Sequence, residues 1–278
     1  MYNTNKATQY WGKRIKNFNL QSAVLSLSLP TYLNDAYRAW EFKTLKKTLG
    51  KIKNKKIIDI ACGGGRVSVP LAKMGAQVTG IDISQEMIRY ANEYAKKNSC
   101  SSNVNFIVAS AWDTKLPSYS FDKVLLLGIL EHLPPEYKKL AIKEAYRLVR
   151  RKGTIHIVVN NKKSIFLNLV EKWKKPTQRK SGYYSSLMDP HQIIAYLKSL
   201  NLKVSVINSN LHYSILLHAL DRINPRLISK SDINKISELF EYCIDLDLNK
   251  HRTKLSSKLY ESLEEKFADQ YFLLATRK

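Results

Sequence analysis

A chain of 278 residues with 44% hydrophobic content is long enough to bury a sizeable core, as one large domain or one domain with an appended cap. Its 46 Lys and Arg against 23 Asp and Glu give a net charge of +23, which attracts anions such as nucleic acid or phosphorylated metabolites; an even spread of lysine through the chain accounts for it equally well. The polar start MYNTNKATQYWGKR argues against a secretory signal, no apolar run approaches the ~20 residues of a membrane span, and three scattered cysteines argue against a disulfide framework and for the cytoplasm.

Residues 1–50 mix Tyr10, Trp11, Phe18, Tyr32, Tyr37, Trp40 and Phe42 with basic residues and read as two or three helices, a lid whose last helix runs over 37–49 and ends at Gly50. The pattern then changes. Residues 56–61 (KIIDIA) read as a strand ending in Cys62-Gly63-Gly64-Gly65, and 66–74 as a helix stopped by Gly75. Residues 77–82 read as a second strand, 84–97 as a helix capped by Ser84, 104–108 as a third strand and 122–127 as a fourth. A helix over 134–149, closed by basic residues and Gly153, leads to a fifth strand over 154–160. Apolar strands alternating with helices imply a doubly wound, mostly parallel α/β sheet covered on both faces.

The rest is less regular. Residues 161–188 form a connection in which Lys162, Lys163, Lys172, Lys174, Lys175, Arg179 and Lys180 face one acid, Glu171, with Trp173, Tyr183 and Tyr184 interleaved. A helix over 190–200, a strand over 203–207, helices within 211–267 and a last strand over 270–276 complete the chain. If the sixth strand is parallel, the last must be antiparallel, and the segments 161–188 and 209–268 both leave the sheet at its carboxyl edge.

The turn after the first strand of such a sheet is where a nucleotide binds, and glycines there allow a sharp turn and a close ligand. By itself Gly63-Gly64-Gly65 serves a dinucleotide, a phosphate or plain strand-to-helix packing. G-x-G-x-x-G is absent, as is a P-loop. Asp82 closes the second strand 19 residues after Gly63, where a carboxylate can accept two ribose hydroxyls.

The segments IIDIACGGGR, VTGIDIS and LPSYSFDKVLLLGILEHL, in this order and spacing, resemble the class I S-adenosylmethionine-dependent methyltransferases. The likeness covers about residues 50–160, and QYFLLAT is similar to that family's terminal strand. It implies a seven-stranded Rossmann-like core over 51–208 and 269–278, with 209–268 inserted as a helical cap. It implies S-adenosylmethionine as cofactor. Asp59, Cys62, Gly63 and Gly65 would lie beside its amino-acid moiety, Asp82 and Ile83 at the ribose, Ser110, Ala111 and Trp112 at the adenine, and Leu127 and Gly128 at the methionine end. Two positions depart from the family: Ala61 replaces its first glycine, and Ser110 its adenine-side acid, a role Asp113 could take; Trp112 reads equally as a core aromatic.

For the transfer itself, His132 after the fourth strand is the candidate general base, its plain alternative being a helix-start histidine without a chemical role; Glu131 reads as a solvated or helix-dipole residue. Tyr10 and Trp11 could close over the pocket. No cysteine follows the fourth or fifth strand for C5-pyrimidine chemistry, Leu133-Pro134-Pro135-Glu136 lacks the polar residue of amino-methylating sites, and six dispersed histidines give no metal-ligand spacing. The expectation is methyl transfer to a small molecule, on oxygen rather than nitrogen, with an anionic group on the acceptor. An RNA methyltransferase and a non-catalytic cofactor-binding protein are the alternatives.

Overall fold

The computed structural model describes residues 3–17, 31–173, 186–220, 229–249 and 257–278. Two helices, α1 (Thr4–Asn17) and α2 (Thr31–Leu49), precede β1 (Lys56–Ile60), α3 (Ser68–Lys73), β2 (Gln77–Asp82), α4 (Gln85–Lys97), β3 (Val104–Val108), β4 (Phe121–Leu126), α5 (Pro135–Leu148) and β5 (Val149–Asn160). Then follow α6 (Ile165–Trp173), α7 (Pro190–Ser199), β6 (Leu202–Ser209), α8 (Leu211–Leu220), α9 (Lys230–Leu248), α10 (Ser257–Phe267) and β7 (Gln270–Arg277). The strands form one seven-stranded sheet in the order β3-β2-β1-β4-β5-β7-β6. β7 runs antiparallel to both β5 and β6, so β6 is parallel to β5 and the expected single reversal falls on the last strand.

Both faces of the sheet are covered because its central strands are apolar on both sides. On one face, Ala141, Ile142, Ala145 and Leu148 of α5 and Leu197 of α7 pack on Ile58, Ile60, Val124 and Ile155. On the other, Val69 and Leu71 of α3 and Ile88, Ala91 and Ala95 of α4 pack on Ile57, Val78 and Leu125. α4 is capped as its sequence signals, with Ser84 accepting from the Met87 N–H.

Two boundaries differ from the sequence reading. The fifth strand starts at Val149 and not at 154, because Val149 already pairs with Phe121 before a register shift brings Lys123 beside Thr154. Gly153 therefore lies inside the strand and does not close the helix; a Cβ there would sit 2.7 Å from Val149 Cγ2 and 2.9 Å from the Asp122 carbonyl oxygen. The expected lid of residues 1–50 is also not separate from the sheet. Leu45 and Leu49 of α2 share a core with Ile57, Leu125, Val158 and Phe272. Buried His156 of β5 meets Thr48 of α2 at 3.1 Å and Thr154 at 2.9 Å; burial pushes it down to about 3, so it is neutral.

The amino-terminal half of α2 belongs to a second core. Leu33 and Trp40 pack with Tyr213 and Leu217 of α8 and with Ile236, Phe240 and Ile244 of α9. Lys174, Lys175, Arg179, Lys180, Tyr183 and Tyr184 of the basic connection lie outside the described residues.

Candidate active site at the carboxyl edge of the sheet

Every strand that carries a candidate residue ends at one edge. At the exit of β1 the chain turns through Ala61 (φ 62°), Gly63 (φ 53°) and Gly65 (φ 83°), all left-handed. Glycine takes this conformation freely; alanine pays roughly 1–2 kcal/mol for it. A Cβ on Gly65 would stand 3.1 Å from the Phe106 ring. A Cβ on Gly80, in β2, would stand 2.5 Å from that ring and 2.9 Å from Cys62 Sγ. Gly80 is thus as necessary to the turn as the glycines within it, a role that its place inside a strand concealed.

The turn is held by carboxylates. Asp82 is buried; its Oδ2 accepts from the Gly63 N–H at 3.0 Å and its Oδ1 from the Ser84 N–H at 2.9 Å. Each oxygen keeps a lone pair for a further donor. Burial raises Asp82 to about 6, against the pull of those N–H groups. Asp59, also buried and raised to about 6 by burial, accepts from Ser68 Oγ at 2.6 Å, so in this structure it orders the start of α3. The Cys62 thiol donates to the Gly63 carbonyl at 3.5 Å.

At the exits of β3 and β4 the sequence candidates separate. The Ala109 N–H donates to the Asp82 carbonyl, which ties the β3 exit to the β2 exit. Ser110 Oγ donates to the Asp113 carbonyl, and the Asp113 carboxylate is exposed and paired with Lys115 at 2.8 Å. Ala111 is buried, and Trp112 stands edge-on to Tyr137 of α5 with ring centroids 4.8 Å apart, partly buried in the core of that face. Leu127 is in the opposite core. Gly128 (φ 72°) is open: among the described residues a Cβ there would meet only Glu131 Oε1, at 3.7 Å. His132 ends a 3-10 turn, half-buried, its ring 5.3 Å from that of Trp11.

α1 lies across this edge. Ile15 packs on Met87, and Gly12 faces Ser84 and Glu86 so closely that a Cβ would sit 3.5 Å from each. Successive residues of α1 therefore reach the exit of β2 and, through Trp11, the exit of β4, on either side of the β1 turn. α2 reaches the same turn through Arg66, whose guanidinium meets buried Glu41 at 2.5 Å. Tyr37 Oη donates to Glu41 at 3.4 Å and stands beside Gln270, the first residue of β7.

From there a relay of amides crosses to β4. Gln270 Nε2 donates to Asn160 Oδ1 at 2.7 Å, and Asn160 Nδ2 donates to Glu131 Oε1 at 3.4 Å. Glu131, read from sequence as a solvated or helix-dipole residue, is 7% exposed and is raised to about 7, chiefly by burial, with its own N–H and Lys138 opposing. Its sequence signal was slight, one acid inside the apolar run Ile129–Leu133. Tyr37, Glu41, Asn160 and Gln270 gave none.

Residues 57–153 match the family model described as a methyltransferase domain. This segment is a methyltransferase domain. The match bears out the resemblance to class I S-adenosylmethionine-dependent enzymes read from the three motifs. Two ubiquinone biosynthesis O-methyltransferases are similar to the chain. That of Pelagibacter ubique is 38% identical over 111 residues, 40% of this chain and 44% of the relative. That of Colwellia psychrerythraea is 33% identical over 163 residues, 57% and 65%. The chain thus spans between two fifths and two thirds of these relatives' length. Among solved structures, a magnesium protoporphyrin IX methyltransferase from Synechocystis, with bound S-adenosylhomocysteine, shares the fold at TM-score 0.62 and 16% identity over 99% of this chain and 100% of its own. The methyltransferase domain thus accounts for β1 to the start of β5, and the lid and cap lie outside the family match.

Proposed function

We propose that the protein transfers the methyl group of S-adenosylmethionine to the hydroxyl oxygen of a small molecule. The observation that carries this reading is the closed edge. α1 lies over the β1 turn from Ser84 to His132, and α2 joins that turn, through Arg66, to the first residue of β7, through Tyr37. An edge closed in this way excludes water and orients a small acceptor better than it admits a polymer.

The cofactor suits the residues present. Asp82 has free lone pairs for ribose hydroxyls, the left-handed Gly63 and Gly65 allow close approach, and Gly128 leaves space before the fourth strand's exit. Cys62, Ile83, Ser110, Ala111, Trp112 and Leu127 complete the cofactor set; Trp112 would act there by its edge, since its ring also packs on Tyr137. When bound, the cofactor supplies an activated methyl on a positively charged sulfur. The chain's part is to hold the acceptor oxygen in line at ~3–3.5 Å and to exclude water. Oxygen as the acceptor atom is supported by the names of the similar relatives. The high positive charge supports one further reading, an RNA substrate.

Titration calorimetry with S-adenosylhomocysteine tests the site. Wild type should bind it, and Asp82→Ala should bind at least ~100-fold more weakly, because two hydrogen bonds to a charged group are lost. Equal affinity in the two proteins would refute the assignment. Strong, salt-dependent RNA binding would favour the polymer reading.

A further inference from the structure

The relay from Gln270 to Glu131 has a direction fixed by chemistry. Once ionised, Glu131 only accepts, so Asn160 turns its amide nitrogen to Glu131 and its oxygen to Gln270, and Gln270 gives its nitrogen in turn. Two buried atoms are left over: Glu131 Oε2 and Gln270 Oε1 have no hydrogen-bond partner among the described residues. Both are acceptors. Leaving such atoms unpaired is costly, and a group that brings donors, water in the free protein or the hydroxyls of a ligand that displaces it, relieves them. Glu131 Oε1 lies 3.7 Å from where a Cβ on Gly128 would stand, and Gly128 is the position that the family resemblance puts at the methionine end of the cofactor.

We propose that Glu131 Oε2 receives the reacting hydroxyl of the acceptor and Gln270 Oε1 a second, neighbouring hydroxyl, and that the Glu131 carboxylate takes the proton of the first. This rests on the methyl-transfer reading. It specifies an acceptor that presents O–H donors at its reacting end, with any phosphate or carboxylate elsewhere in the molecule. As the O–H bond breaks, its proton passes to Glu131 Oε2. The oxygen's electron pair forms the new C–O bond, and the pair of the broken S–C bond stays on sulfur. His132, the base suggested by sequence, is turned to Trp11 of the lid.

The groups around Glu131 suit this task. Lys138 of α5 opposes the effect of burial but directs its Nζ to Ser186 Oγ at 2.6 Å; Glu41 of α2 adds to it; Asn160 and Gln270 are neutral. With the carboxyl raised to about 7, both of its protonation states are populated near neutral pH, as a proton acceptor requires.

The probe is 4-nitrocatechol, whose ionised form absorbs in the visible, added to protein saturated with S-adenosylhomocysteine. At pH 7, where about half of Glu131 is ionised, wild type should bind it with more phenolate absorption than the same probe shows free in that buffer. Glu131→Gln should bind it un-ionised and, given S-adenosylmethionine, methylate it ~100-fold or more slowly. Gln270→Met should bind it more weakly yet still ionise it, which keeps the test alive if Glu131→Gln does not fold. Absence of binding to loaded wild type, phenolate absorption retained in Glu131→Gln, or its loss in His132→Asn instead would each overturn the proposal. Failure of wild type to bind S-adenosylhomocysteine at all would refute the cofactor reading, a separate result.

Discussion

The two halves of the carboxyl edge are built differently. On the β1–β2 side, Asp82 and Asp59 are tied to nearby backbone N–H groups and a serine, and the contacts span short stretches of chain. On the β4–β5–β7 side, Glu131, Asn160, Gln270 and Tyr37 come from four distant segments, and two acceptor atoms stay unpaired. A site for one constant ligand can be pre-formed by a local turn. A site that selects its ligand is assembled from remote pieces and leaves chemical capacity for the ligand to fill. On the proposed reading, the cofactor side would supply binding energy and the β4–β5–β7 side specificity.

This contrast can be broken most strongly in the cap. Trp40 is fully buried against Tyr213 and the α9 core. Trp40→Ala should cost about 3–5 kcal/mol in a urea titration. If the halves are separable, the loss should fall on the acceptor side, so that at low temperature the variant still binds S-adenosylhomocysteine but not 4-nitrocatechol. Loss of both together would show one cooperative unit.

A smaller effect sharpens the cofactor half. Asp82 is raised to about 6 in the folded protein, above its ordinary carboxylate value of 3.8. The native state therefore holds the proton more tightly than the unfolded chain. Asp82's contribution to the stability of the ligand-free protein is largest below pH ~4 and is lost as pH rises to ~6. Cofactor binding has the opposite slope, because ribose hydroxyls need the ionised form. Affinity for S-adenosylhomocysteine should be full above pH 7 and about tenfold weaker at pH 5. A flat calorimetric profile across that range would remove Asp82 from the ribose.

The smallest expected effect is at Ala61. Its left-handed backbone (φ 62°) suits glycine, and Ala61→Gly should gain up to about 1 kcal/mol, read as a higher melting temperature. A loss would mean that the methyl group's packing outweighs its strain.

These outcomes follow the same division as legibility. β1 to β4 could be read because short continuous apolar runs and glycine turns are local signals, and Asp82 stands out as an acid closing such a run. Glu131 was misread as solvated because one acid before a histidine looks the same whether it faces water or the core; only Asn160 and Gln270, 29 and 139 positions away, decide it. α2 was assigned wholly to the lid because its apolar residues run all round: Leu45 and Leu49 face the sheet while Leu33 and Trp40 face the cap, so no single stripe marks either face. Gly153 looked like a helix stop because no local pattern reports how closely β4 approaches it.

The double allegiance of α2 has a thermodynamic consequence. One end of the helix is fixed to the sheet by Leu45, Leu49 and Thr48, and its middle grips the β1 turn through the Glu41–Arg66 pair. One turn away, Tyr37 stands beside Gln270, the residue proposed to hold the acceptor. A ligand that steadies the β1 turn therefore steadies Gln270 through a single rigid helix. Linkage makes that coupling reciprocal: by whatever factor the first ligand tightens the second, the second tightens the first. If the two ligands are cofactor and acceptor, methyl transfer alters both of these neighbouring contacts in the same event, and product release should then depend on their coupling.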